Sequence, residues 1–175
     1  MTGSLSFLKR LFIFRELGID RSMLSQKTRY AIRAMQHLAD RYGEGPVQLA
    51  AIAEAQKIPA NFLTTILSEL GRVGIVDSQR GKDGGYWLAL SPVDITYGDL
   101  IRVMRGSLAL VPCASRFAHE TCKNCEEGEC RTRALMLQVR DRTAELLDSI
   151  RLSDSIALEP AQEYFEEAEL GTGQS

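Results

Sequence analysis

Residues 75–90 of this 175-residue chain restrict its fold more than any other stretch. Ile75-Val76-Asp77-Ser78 reads as a strand, and Tyr86-Trp87-Leu88-Ala89-Leu90 as a returning strand. Between them, Arg80-Gly81-Lys82-Asp83-Gly84-Gly85 is too rich in glycine for helix or strand and suits the tip of a hairpin. A single hairpin cannot fold alone in water, so the residues before it must supply the core.

Those residues read as three helices. From Ser25, the residues Ala31, Ala34, Met35, Leu38 and Tyr42 recur at helical spacing, and Gly43, Gly45 and Pro46 end the run. A shorter helix spans about Gln48 to Gln56 and buries Leu49, Ile52 and Ala53. Lys57-Ile58-Pro59 makes a turn, with Ile58 as apolar plug and Pro59 in the first turn of the next helix. That third helix runs to about Arg72 with Phe62, Leu63, Ile66, Leu67 and Leu70 inward, and Gly74 stops it. Two helices across a short turn followed by a hairpin make a winged helix-turn-helix, so the fold class expected is mainly α with a small β-hairpin wing.

The pattern points to double-stranded DNA. Asn61, Thr64 and Thr65 place small hydrogen-bonding groups on the outer face of the third helix, where a major groove would meet them. Arg80 and Lys82 put two cations at the wing tip, suited to a narrow minor groove. With Gln48, Pro59, Ala60 and Phe62 at the helix starts, these are the candidate DNA contacts. The formal net charge of −2 does not oppose this, because it hides a gradient. Residues 23–112 carry ten Lys or Arg against eight Asp or Glu, whereas residues 151–175 carry one Arg against six acids.

Beyond the wing, Thr96 and Asp99 have the spacing of a capping box for a helix containing Leu100, Ile101, Val103 and Met104, stopped by Gly106. All four cysteines follow in one loop, Cys113, Cys122, Cys125 and Cys130, spaced C-x8-C-x2-C-x4-C. The longest helix comes next, about Thr132 to Ile150, with a stripe of Leu135, Met136, Val139, Thr143, Leu146, Leu147 and Ile150 that a domain this small cannot easily cover; packing on the chain's own core and pairing with a second copy both fit it. Clustered thiols in a chain without a secretory signal point to a cytoplasmic metal or redox site. An iron–sulfur cluster and zinc both accept four thiolates, and a metal-free thiol group is the third choice. His119 lies within the loop and can substitute as a ligand, while His37 reads as a helix-surface residue. No run is long and apolar enough to span a membrane, and no catalytic constellation stands out beyond the thiols, so an enzyme is not expected.

The segments MLSQKTRYAIRAMQHLA, LAAIAEAQKIPANFLTTILSELGRVGIVDSQRGKDGGYWLA, ITYGDLIRVMRG and CRTRAL together resemble the iron–sulfur cluster regulators of the IscR, NsrR and RirA type, over about Met23 to Ile156. The resemblance implies a homodimeric winged-helix transcription factor that binds an imperfect palindrome, usually as a repressor, through iron, redox or nitric-oxide sensing. It makes the long helix the dimer helix, matches Arg80 to the wing arginine, and sets Asn61, Phe62 and Thr65 in the recognition helix. It also implies a [2Fe–2S] or [4Fe–4S] cluster held by cysteines that include Cys113 and Cys130, with either Cys122 or Cys125, or both, completing the set. Two departures stand out: Arg133 occupies the position where IscR-type members have a histidine, and Arg29 the place of an NsrR-type carboxylate. A spare cysteine is consistent with both losses. The expected organisation is an N-terminal extension (1–22), a DNA-binding domain (23–92), a cysteine loop with dimerisation helix (93–156) and an acidic tail (157–175).

Overall fold

The computed structural model describes residues 24–156. The expected N-terminal extension and acidic tail lie outside them. Helix α1 spans Gln26–Ala39 and begins where the Ser25 side chain accepts a hydrogen bond from the Thr28 amide at 3.2 Å. Its inner face is Ala31, Ala34, Met35 and Leu38, all essentially buried, and the two alanines allow other helices to pack closely against it. Tyr42, expected on this stripe, is exposed, because the helix ends at Ala39 and the chain turns away through Gly43 at φ +86°.

His37 is also a correction, since it is buried rather than on the helix surface. Its Nδ1 lies 3.2 Å from Gln56 Nε2 and 3.3 Å from Arg41 Nη1, both donors, so Nδ1 must accept and the ring proton sits on Nε2. That Nε2 has no partner among the described residues. Desolvation, then the Arg41 charge, hold the histidine pKa below its ordinary value, so the ring stays neutral and pins α1 to the end of the next helix.

Helix α2 (Leu49–Gln56) buries only Ile52, with Leu49 and Ala53 half-covered. It closes on Lys57 in a left-handed conformation (φ 50°), and the Ile58 amide bonds back to the Ala53 carbonyl at 2.9 Å. Ile58 is the buried plug the sequence anticipates. Pro59 caps helix α3 (Ala60–Arg72) one residue ahead of its expected place within the first turn. Leu63, Ile66, Leu67 and Leu70 face inward at steps of three and four. Phe62 falls just outside that stripe and points outward instead, its ring edge-on to Tyr30 at 6.2 Å.

Strands β1 (Val76–Gln79) and β2 (Gly85–Leu88) pair antiparallel with Val76 opposite Leu88 and Gln79 opposite Gly85. The returning strand stops two residues earlier than expected. Val47 adds a bridge to Tyr86 through bonds of 2.9 and 2.8 Å, fixing the wing to the start of α2. Gly85 permits that contact, as a Cβ there would lie 2.4 Å from the Val47 carbonyl oxygen.

Helix α4 (Tyr97–Arg105) opens on the expected capping box: Asp99 N bonds Thr96 Oγ1 at 3.0 Å, and Thr96 N bonds Asp99 Oδ2 at 3.1 Å. It packs on α1, where Gln36 Nε2 donates to the Tyr97 hydroxyl at 2.8 Å. After a short 3-10 turn at Pro112–Ala114 and the cysteine loop comes α5 (Arg131–Ser149). None of its nineteen residues is buried. Its C-terminal end is clamped to α4 and the segment before it: Tyr97 N bonds the Ile150 carbonyl at 3.2 Å, Leu152 N bonds the Ile95 carbonyl at 2.8 Å, and Arg102 grips Asp148 through two bonds of 2.7 and 2.8 Å.

That clamp requires a glycine in α4, because a Cβ on Gly98 would lie 1.9 Å from Asp148 Oδ1. Gly98→Ala therefore destabilises the protein by about 1–2 kcal/mol in chemical denaturation, the crowding outweighing the better helix propensity of alanine. In an Asp148→Ala background the same substitution stabilises by about 0.5–1 kcal/mol. Equal effects in both backgrounds would show that the clamp does not set the choice of glycine.

Candidate DNA interface and cysteine site

The outward face of α3 presents Asn61, Phe62, Thr64 and Thr65, all exposed, below the exposed Pro59 and Ala60. The two threonine hydroxyls bond back to their own helix, Thr64 to the Ala60 carbonyl at 2.9 Å and Thr65 to the Asn61 carbonyl at 3.1 Å. Each keeps acceptor lone pairs and its methyl free for a groove. Arg80 follows β1 directly and Lys82 stands in the turn, both exposed. Gln48 is tied to the wing, its Nε2 donating to the Lys82 carbonyl at 3.2 Å. The start of α2 and the wing tip thus move as one piece.

Two further residues join this face: Ser68, which the sequence already places on the outward side of α3, and Arg72, which the sequence reading missed. Ser68 and Arg72 line a cleft of about 560 Å³ between α3 and the wing, shared with Thr64 and Arg80. They continue the outward face of α3 one and two turns beyond Thr64, and that helical spacing was available in the sequence. Lys27 is a third: it lines a hollow with Asn61, Phe62 and Thr65 while pairing with Glu69 at 2.5 Å.

The cysteine loop is organised by Glu127. Its Oε1 accepts from the Cys122 amide at 3.0 Å, its Oε2 lies 3.0 Å from His119 Nε2, and Arg133 Nε stands 3.4 Å away. The Cys122 amide bond, with help from His119 and Arg133, holds the Glu127 carboxyl below its usual range. Arg133 also donates through Nε to the Cys113 carbonyl at 3.0 Å, and its own amide bonds Cys130 Sγ at 3.4 Å. Cys130 is the N-cap of α5, and that amide bond lowers its thiol pKa, supported by Cys125. The Cys125 thiol, hydrogen-bonded to Cys122 and Cys130, is pushed up to about 12.

The four sequence-predicted ligands therefore divide. Cys125 interacts with both Cys122 and Cys130, while Cys113 sits in the 3-10 turn, its carbonyl held by Arg133. All four are free thiols. Among the described residues, no three His, Cys, Asp or Glu side chains are already arranged as an ion cage. The donor set is nonetheless all sulfur, which suits iron–sulfur or zinc over hard cations. His119 is engaged with Glu127 instead of pointing to the thiols. Among the described residues no helix is long and apolar enough to cross a membrane.

Comparison with known proteins places this architecture. Residues 24–157 match the family model Rrf2, described as iron-dependent transcriptional regulator. An Rrf2-like helix-turn-helix transcriptional regulator of Rhodobacter capsulatus is 36% identical over 150 residues, covering 83% of this chain and all of the relative. The structure of CymR, the global cysteine regulator of B. subtilis, superposes with a TM-score of 0.63 at 36% identity, covering 76% of this chain and 95% of that one. The structure of IscR from T. potens superposes with a TM-score of 0.59 at 31% identity, covering 89% and 94%. With a winged helix, an exposed recognition face and a match over most of its length, this chain belongs to the Rrf2 family of DNA-binding transcriptional regulators, which are not enzymes.

Proposed function

We propose that this chain acts as a homodimer on an imperfectly palindromic operator, as a repressor whose affinity is set by an iron–sulfur cluster bound through its cysteine loop. The observation that carries the reading is the interaction of Cys125 with both Cys122 and Cys130, the latter the N-cap of α5, a helix that buries none of its side chains. Cys122, Cys125 and Cys130 would hold the cluster, with Cys113 within the same loop as fourth donor. A bound cluster supplies iron–sulfur bonds that respond to oxidation and to small reactive molecules.

The protein's own residues supply the rest. Glu127 and Arg133 fix the loop backbone at Cys122 and Cys113, so a change in the loop reaches α5 directly. The exposed Leu135 and Leu146 fit a two-fold mate, and pairing through α5 would set the separation of two recognition helices. In this reading residues 23–92 form the DNA-binding unit and 93–156 the sensing and dimer unit, with Asn61, Thr64, Thr65 and Arg80 as the main DNA contacts and Gln48, Pro59, Ala60, Phe62 and Lys82 around them.

A second reading, direct thiol sensing or structural zinc without a cluster, draws on the four free thiols of the loop and on the likeness to CymR, a cysteine regulator. Anaerobic purification separates the two. The cluster reading expects a coloured protein with visible absorption and matching iron and acid-labile sulfide; a colourless protein with stoichiometric zinc, or with no metal, sinks it. For the wing, Arg80→Ala is expected to weaken specific DNA binding by about 1–3 kcal/mol in an anisotropy titration, with an unchanged circular dichroism spectrum. Unaltered affinity would remove Arg80 from the interface.

A further inference from the structure

A cleft of about 290 Å³ lies where α4, the start of the cysteine loop and α5 come together. None of the four cysteines lines it. Six ionised side chains do, and their charges cancel: Arg102, Arg116 and Arg140 against Asp99, Asp141 and Asp148.

The pairing among them is uneven. Arg102 is committed to Asp148 by its two short bonds. Arg140 gives two bonds to Asp141 Oδ1, at 2.9 and 2.7 Å, and a third to the Ala114 carbonyl at 2.6 Å. Arg116 is left with one contact of 3.2 Å to that same, already occupied Oδ1, and its side chain is 66% exposed. On the α4 side, Asp99 Oδ2 is taken by the capping box, whereas among the described residues its Oδ1 has only Arg102 at 3.7 Å. Arg116 and two carboxylate oxygens, Asp99 Oδ1 and Asp141 Oδ2, are therefore under-used in a cleft whose other walls are the apolar Leu108, Ala144 and exposed Phe117 ring together with Ser107.

A simple anion entering this cleft would face three aspartates, and a simple cation three arginines. A ligand with one charge of each sign and an apolar body meets neither penalty. We propose that the cleft is a binding site for a free α-amino acid with an apolar side chain, its carboxylate on Arg116, its ammonium toward Asp99 Oδ1, and its side chain against Ala144 and Leu108. Because the walls belong to α4, the loop and α5 together, an occupant stabilises one placement of α5 against the winged helix. Such coupling changes operator affinity by about 5–150-fold, and operator DNA changes ligand affinity by the same factor. That coupling rests on the reading of the chain as a DNA-binding regulator; the binding itself depends on neither the operator nor the thiols.

Calorimetry on the full-length protein tests it, with each standard L-amino acid as probe. The expected result is saturable binding of one or more apolar amino acids. The des-amino carboxylate and the decarboxylated amine of the best ligand should each bind at least ~10-fold more weakly, as should the best ligand to Arg116→Gln. Ala144→Leu, which fills the cleft from α5, should have the same effect, and thermal melting shows whether each variant is folded. Arg116 lies on the exposed loop, so its variant remains informative even where Ala144→Leu fails to fold. Absence of binding at ~10 mM for every amino acid overturns the proposal, as does a single-charge analogue that matches its parent or a dissociation constant unchanged in Arg116→Gln. A failed gel shift with intact amino-acid binding would count against the regulatory reading and leave the site standing.

Discussion

A nineteen-residue helix with no buried side chain is the constraint on which the rest of this molecule depends. Elsewhere the chain covers its apolar faces well: α1, α3 and α4 share one core from Ala31 to Leu100, and the hairpin adds Val76 and Leu88 to it. Helix α5 contributes to that core only through half-buried Leu147 at its end and Ile150 beyond it. Leu135 and Leu146 stand in solvent, each more than half exposed. Apolar side chains on a helix are stabilised only when another surface removes them from water. A second copy of the same stripe is the economical cover, since a two-fold axis makes one surface its own complement.

The manner in which α5 is held gives that cover a use. Its C-terminal end is fixed to α4 by Arg102–Asp148 and by the backbone bonds at Ile150 and Leu152. Its N-terminal half is fixed to the cysteine loop instead, through Arg133 to the Cys113 carbonyl and, at mid-helix, Arg140 to the Ala114 carbonyl. One end follows the winged helix and the other follows the thiols. Under the proposed sensing role, a rearrangement of the loop would act on α5, while Gln48 and Val47 tie the wing to the start of α2. Tyr97 links this joint to α1 through Gln36, so the DNA-reading unit and the lever share a packed boundary.

Much of this was legible in the sequence because it is encoded over short distances. The Thr96–Asp99 box, the Ile58 plug and the hairpin glycines depend on neighbours a few residues apart, and each lies where the residues imply. What escaped depends on contacts between distant segments. Nothing local marks His37 as buried, because its acceptor role needs Gln56, nineteen residues on. Phe62 is apolar and next to the inward stripe, yet it stands just outside it, where its ring meets Tyr30 from another helix. Gly98 looks like an ordinary weak point in a helix until Asp148 is placed against it. The cysteine spacing announced a thiol site, but it could not single out Glu127 as the residue holding the loop together, nor separate Cys113 from the other three thiols.

The central claim is that the thiol loop governs DNA binding through α5. It is tested most directly by titrating one anaerobic preparation against its operator by fluorescence anisotropy, before and after the cysteine-bound group is removed. The account predicts a change in dissociation constant of about tenfold or more, with the dimer intact in both states. Equal affinities in the two states would contradict it.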